Sequence, residues 1–263
     1  MSKTQLFHLG LVIMLGLGIQ GIQAGEEVEY SAGKTTFQGY LALPDSAPEK
    51  VPGILVVHEW WGHNEYARKR ADMLADLGYA ALAVDMYGAG QKAEHPKSAG
   101  EFSSQVMGDA EKMKGRFLAA MEFLKNQEGV DVEPMGAIGY CFGGAVVLNM
   151  ARAGVDLDGV VSFHGSLQKA VETQIPIETR ILVCHGAEDS FIPQEAIDSF
   201  KKEMEEADAD YKFISYPGAK HSFTNPGADA KAEKFGIGIA YDADADEKSW
   251  NDMTQFFEKT FEE

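Results

Sequence analysis

The sequence predicts an α/β fold, a mostly parallel β-sheet covered by helices on both faces. Three observations lead there. Several short runs, such as 54–57, 80–84 and 181–184, are apolar without alternation, as in strands buried on both sides. Between them lie segments whose apolar residues recur at helical spacing, the order that builds βαβ units. Finally, the 263 residues are 45% apolar and 24% charged, and no Pro/Gly/Ser-rich linker or internal repeat divides them. One large domain around one core is expected, over residues 25–263.

The elements follow in order. Residues 28–30 and 35–43 alternate apolar and polar around Ser31-Ala32-Gly33-Lys34, which reads as a hairpin. After a polar turn, 53–59 is a buried strand ending in His58-Glu59. Trp60-Trp61-Gly62-His63 is a loop, Asn64 is placed to cap a helix over 65–77, and Gly78 to end it. Strand 79–84 closes on Asp85-Met86-Tyr87-Gly88. A long amphipathic helix is expected over 99–126, with Phe102, Val106, Met113, Phe117, Ala120, Met121 and Leu124 turned to the core. Asp131 to Pro134 should break the pattern before a strand from Gly136. Strands follow at 159–164, 180–185 and 211–216, with a helix over 194–206 before the last of these. A closing helix over 246–262 carries Trp250, Met253, Phe256, Phe257 and Phe261 on one side. Residues 227–247 are placed to form one wall of a pocket.

The first 24 residues have the layout of a secretory signal. Lys3 precedes an apolar run from Leu9 to Ile19, and small residues end it at Ala24-Gly25. That run falls short of the roughly 20 residues of a spanning helix, so a mature protein free of the membrane, in the periplasm or secreted, is expected. Losing the one lysine of that segment takes the net charge from −18 to −19. Such a surface argues against nucleic-acid partners. No metal-type Cys/His spacing occurs, and neither metal nor cofactor is implied. The two cysteines, Cys141 and Cys184, are expected to be free: Cys184 falls inside a buried strand, and a disulfide would disable Cys141.

Cys141 is the centre of the chemistry. Gly139-Tyr140-Cys141-Phe142-Gly143-Gly144 joins an apolar strand to a helix, the pattern of a nucleophile elbow, with a thiol where serine is more familiar. Glycines two before and two after the nucleophile suit a turn with no room for a Cβ. Asp189 follows Cys141 by 48 residues and precedes His221 by 32, and each lies just past a strand's carboxyl end. Ligands bind at that edge of a parallel sheet. Nucleophile, acid, base is the order of the α/β-hydrolase fold. In that arrangement His221 carries the proton and Asp189 orients the imidazole. The N–H groups of Phe142 and Trp60 are the natural oxyanion donors. Glu59, at the end of its strand, is a candidate acceptor of the Cys141 proton. Trp61, Tyr87 and Phe223 are candidate substrate contacts.

These motifs, together with His58-Glu59-Trp60-Trp61-Gly62, Asp85-Met86-Tyr87-Gly88, Cys184-His185-Gly186-Ala187-Glu188-Asp189 and His221-Ser222-Phe223-Thr224-Asn225-Pro226, resemble the dienelactone hydrolase family over about 27–262. The resemblance implies an eight-stranded α/β-hydrolase core and hydrolysis of a small ester or lactone. A Cys141–His221–Asp189 triad would act through an acyl-enzyme. It also implies a resting thiol that is largely uncharged until the glutamate at position 59 takes its proton. The best-known members grip a substrate carboxylate with arginines, one shortly after the catalytic histidine. This chain has Ser222-Phe223-Thr224-Asn225 there, and no Arg between Arg70 and Arg116. A non-catalytic small-molecule-binding protein that keeps the fold is the alternative reading. The sequence carries no signal for oligomeric state, and a monomer is compatible with it.

Overall fold

The structure, a computed structural model, describes residues 25–46 and 50–262. The expected export signal, 1–24, lies outside the described residues. Eight strands form one sheet: β1 (Glu26–Ala32), β2 (Thr35–Ala42), β3 (Val51–Val57), β4 (Ala80–Val84), β5 (Val130–Tyr140), β6 (Gly159–Phe163), β7 (Arg180–Gly186) and β8 (Tyr211–Tyr216). Their order is β1-β2-β4-β3-β5-β6-β7-β8. The hairpin β1–β2 joins β4 antiparallel, and every pairing from β4 to β8 is parallel.

Side chains alternate across the sheet, as strand geometry requires. Leu55, Val57 and Ala137 face one core cluster, with residues of α2 (Pro96–Met107), α3 (Ala110–Lys125), α4 (Phe142–Arg152) and α5 (Gln194–Glu206). Ile54, Val56 and Ile138 face the other, with α1 (Glu65–Asp76) and α7 (Ala243–Glu262). Both faces are thus covered, which is why β4 and β6 are buried along their whole length. Asn64 caps α1 as expected, its side chain accepting from the N–H of Tyr66 and Ala67.

Several boundaries differ from the expectations; β3 covers Val51–Val57, so His58 and Glu59 lie in the loop beyond it and not inside the strand. The segment 99–126 is two helices, because Gly108 closes α2 through Ser104 O and the Asp109 side chain caps α3 at Lys112 N. Its apolar period survives the break and hides it. Asp131 to Pro134 lies inside β5, where the register against β3 shifts between Val51 and Gly53, so a bulge absorbs the irregularity. A further helix, α6 (Ala228–Phe235), interrupts the segment after β8, and α7 begins at Ala243, before 246.

Candidate active site

The elbow is built as its glycines require. Cys141 sits between β5 and α4 at φ 54° and ψ −111°, a conformation that side chains rarely adopt. A Cβ on Gly139 would overlap the carbonyl of Gly143, and one on Gly143 would overlap that of Val57. Strand, turn and helix can pack this closely only with glycine at both places. Gly143 N bonds His58 O at 3.1 Å, and Cys141 N bonds Phe163 O at 3.0 Å, fixing the turn to β3 and β6.

His221, with Asp189 behind it, shares the thiol's cavity there. His221 Nδ1 lies 2.8 Å from Asp189 Oδ2, while Asp189 Oδ1 accepts from Phe191 N at 2.9 Å. An ionised Asp189 can only accept, so Nδ1 carries the hydrogen and Nε2 is left for the Cys141 side. Cys141 and His221 line the same cavity. Burial lowers the His221 pKa, but Cys141 and then the Asp189 bond outweigh it, lifting the value to about 10. The loop carrying His221 is clamped from below. Thr224 Oγ1 meets Tyr66 Oη at 2.6 Å and His164 Nε2 at 2.8 Å. Arg70, itself paired with Asp246 at 2.5 Å, donates to Thr224 O at 2.6 Å.

Glu59 is buried, and both its oxygens are taken on this same loop. Ser222 Oγ donates at 3.0 Å and Asn225 Nδ2 at 2.5 Å. On the next element Lys231 of α6 stacks 4.5 Å over Trp61 and feels the Glu59 charge; burial lowers its pKa and Glu59 opposes the shift. The loop bearing Glu59 is set by His58. Its Nε2 accepts from Met86 N at 3.2 Å, so Nδ1 carries the hydrogen and donates to Glu59 O at 2.5 Å. Burial pulls the His58 pKa down to about 4, consistent with a neutral ring. Asp85 holds the adjoining loop by accepting from the N–H of Gln38, Tyr87, Gly88 and Gly90.

A cavity of about 290 Å³ opens on the thiol. Cys141, Phe142, Trp60, His221 and Ser222 form its reactive side; Ser103, Ser104 and Met107 of α2, Phe191, Ile192 and Ile239 enclose the rest. Among the described residues the N–H groups of Phe142 and Trp60 find no protein acceptor, as oxyanion donors must not. Ile239 belongs to the 227–247 segment, which does form a wall: it bridges to His221, and Ala240 N bonds His221 O at 3.1 Å.

Trp61, Tyr87 and Phe223 do not line the cavity. Each is buried behind it. Trp61 stacks on Phe235 at 6.0 Å, Tyr87 Oη donates to Trp60 O at 2.9 Å, and Phe223 packs on His164 and Tyr216. Trp61 and Tyr87 back the lining residues Trp60 and Phe142. Residues of α2, Phe191 and Ile239 were not anticipated, because their place in the wall depends on helices crossing the sheet edge. Ser222 and Asn225 lie in the motif that follows His221, yet nothing local pairs them with Glu59. Cys141 and Cys184 are both free, Cys184 buried in β7 with its pKa pushed up to about 12 by burial. Among the described residues no cluster of three or more His, Cys, Asp or Glu could hold a metal ion.

This sheet order, with a strained elbow and the acid and base on later strand ends, defines an α/β hydrolase. The Dienelactone hydrolase family profile matches residues 37–261, and the chain belongs to that family. It is accordingly an ester or lactone hydrolase acting on a small molecule. A solved structure of a dienelactone hydrolase-like promiscuous phosphotriesterase from metagenomic libraries is 35% identical. It covers 90% of this chain and 98% of its own, with a TM-score of 0.81. Protein usf of Aquifex pyrophilus is 28% identical over 240 residues, 89% of this chain and 98% of that protein. An Aquifex aeolicus protein, provisionally named carboxymethylenebutenolidase, is 27% identical over 209 residues, 76% of this chain and 87% of its own.

Proposed function

We propose that Cys141, His221 and Asp189 hydrolyse the ester or lactone through an acyl-enzyme. The observation that carries this reading is Cys141 at the strained turn, sharing its cavity with a histidine whose Nδ1 is held by Asp189. His221 Nε2, its pKa raised beside Cys141, holds the proton drawn from the thiol as Sγ attacks the carbonyl carbon. Phe142 N and Trp60 N receive the developing oxyanion. Collapse expels the alkoxide, which takes the proton back from His221 and leaves a thioester on Cys141. Water, deprotonated by the same histidine, then releases the acid and restores the thiol. Glu59 anchors the His221 loop; to accept the thiol proton it would first have to leave Ser222 and Asn225.

Among the described residues no Lys or Arg lines the cavity, and the chain carries a net charge of −18. Uncharged esters and lactones therefore suit it better than carboxylate-bearing ones, which find no Arg or Lys partner here. The test is turnover of p-nitrophenyl butyrate beside its anionic counterpart, p-nitrophenyl hemisuccinate. Wild type should favour the butyrate at least tenfold, and Cys141→Ala should lose about 10³-fold or more on it. Turnover that survives in Cys141→Ala refutes the triad. We also propose export, from the layout of residues 1–24. The intact mass of the secreted or periplasmic protein should begin at Gly25; a full-length mass sinks this.

A further inference from the structure

A second cavity, of about 500 Å³, opens beside the catalytic one between residues 166–169, which follow β6, and the start of α5. Ser166, Gln168, Phe191 and Ile192 line both, so the two are parts of one groove. Its own lining is apolar at buried Leu167 and Phe200, half-buried Ala196 and exposed Pro193. The charges at its edge are already engaged. Glu203 accepts from Arg152 at 2.8 Å and from Thr173 at 2.6 Å, and Lys169 pairs with Glu172 at 3.6 Å. Phe191 stands where the cavities join, 49% exposed despite its size, its ring 4.9 Å from that of His221. An apolar side chain left open where two cavities join is available for a ligand seated in them to cover.

The direction of the ester follows from the proposed reaction, on which this inference rests. The imidazolium of His221 must protonate the departing alkoxide, so the alcohol leaves from the His221 side. Phe191 packs against His221 on that side, and the second cavity lies beyond Phe191. The first cavity reaches away from it, to Trp60 and to Met107 of α2. We propose that the second cavity binds the alcohol portion of the substrate, an uncharged alkyl or aryl group, while the acyl portion occupies the first. The enzyme then reads the leaving group as well as the acyl group, and accepts the longer chain on the alcohol side.

A matched series of butyrate esters tests this. A fully buried methylene is worth roughly a fourfold gain, and a half-covered one about twofold. From methyl to butyl butyrate, three methylenes should raise kcat/KM about tenfold in wild type. Ala196→Trp, on the half-buried face of α5, should bring that butyl-to-methyl ratio down toward one. Ser199→Trp, one turn along the same cavity wall, should do likewise and serves if the first variant does not fold. A flat alcohol series in wild type, or a ratio unchanged in both variants, overturns the proposal. Calorimetric binding of the intact esters to Cys141→Ala separates the two readings. Tighter binding of the butyl ester, lost when Ala196→Trp is added, supports the subsite even where Cys141 proves not to be the nucleophile. Equal binding of the two esters sinks it.

Discussion

Cys141 holds a backbone conformation that costs a residue with a side chain about 1–3 kcal/mol, and its neighbours are chosen to impose it. Gly143 shows how little room they leave. A Cβ there meets the carbonyl carbon and oxygen of Val57 and the oxygen of His58, all main chain, which cannot swing aside. Gly143→Ala should therefore lower stability by about 1–3 kcal/mol or more, and activity with it, as the elbow shifts. Gly115, in the middle of α3, has no atom within 4 Å of its ideal Cβ. Gly115→Ala should instead stabilise by about 0.5–1 kcal/mol, since only helix propensity changes. Thermal unfolding of the two variants side by side gives the contrast; equal effects would show that crowding is not what keeps glycine at 143.

Between β4 and α2 the chain runs through a loop whose backbone is held chiefly by one carboxylate. Asp85 is buried and accepts four N–H groups, one of them from β2. Arg116 of α3 donates to the carbonyls of Met86 and Tyr87 in the same loop. Because Met86 N also satisfies His58, this loop sets the ring that bonds Glu59 O, and so reaches the catalytic cavity. Asp85→Ala leaves several of these donors without a partner. It should cost on the order of 3 kcal/mol, at about 1–3 kcal/mol for each buried donor left unmade. Urea unfolding should show a lower midpoint with an unchanged slope. A loss under about 0.5 kcal/mol would mean that water replaces the carboxylate without penalty.

The whole molecule combines an acidic exterior with neutral histidines inside. Burial lowers the pKa of His58 to about 4 and of His63 to about 3, against 6.5 for an open chain. The unfolded state therefore binds the extra protons. Their contribution is fully present above pH 6.5 and is lost as pH falls through about 4 and then about 3. For His58 alone the difference amounts to roughly 3 kcal/mol. Stability should thus decline from pH 6.5 to 4, before most carboxylates titrate. His63→Leu should flatten that decline, measured as the unfolding temperature across the range. A decline equally steep in the variant would assign it to other groups.

Much of this architecture follows from the chain alone. A parallel sheet buried on both faces must be written in unbroken apolar runs, and a strained elbow must be written in glycine. The strands, the fold class and the positions Cys141, Asp189 and His221 were legible for that reason. Each of these depends on residues within a few positions of one another, or on their order along the chain. The break at Gly108, the continuation of β5 through Pro134 and the appearance of α6 were less so, because tertiary packing outweighs local propensity at those points. Only the tertiary structure decided what surrounds the thiol. It buried Trp61, Tyr87 and Phe223, brought Met107, Phe191 and Ile239 to the cavity, and gave the Glu59 carboxylate to Ser222 and Asn225. Those residues lie up to 166 positions apart. Which of them meet is set by how helices and loops cross the end of the sheet, and no spacing along the chain encodes that.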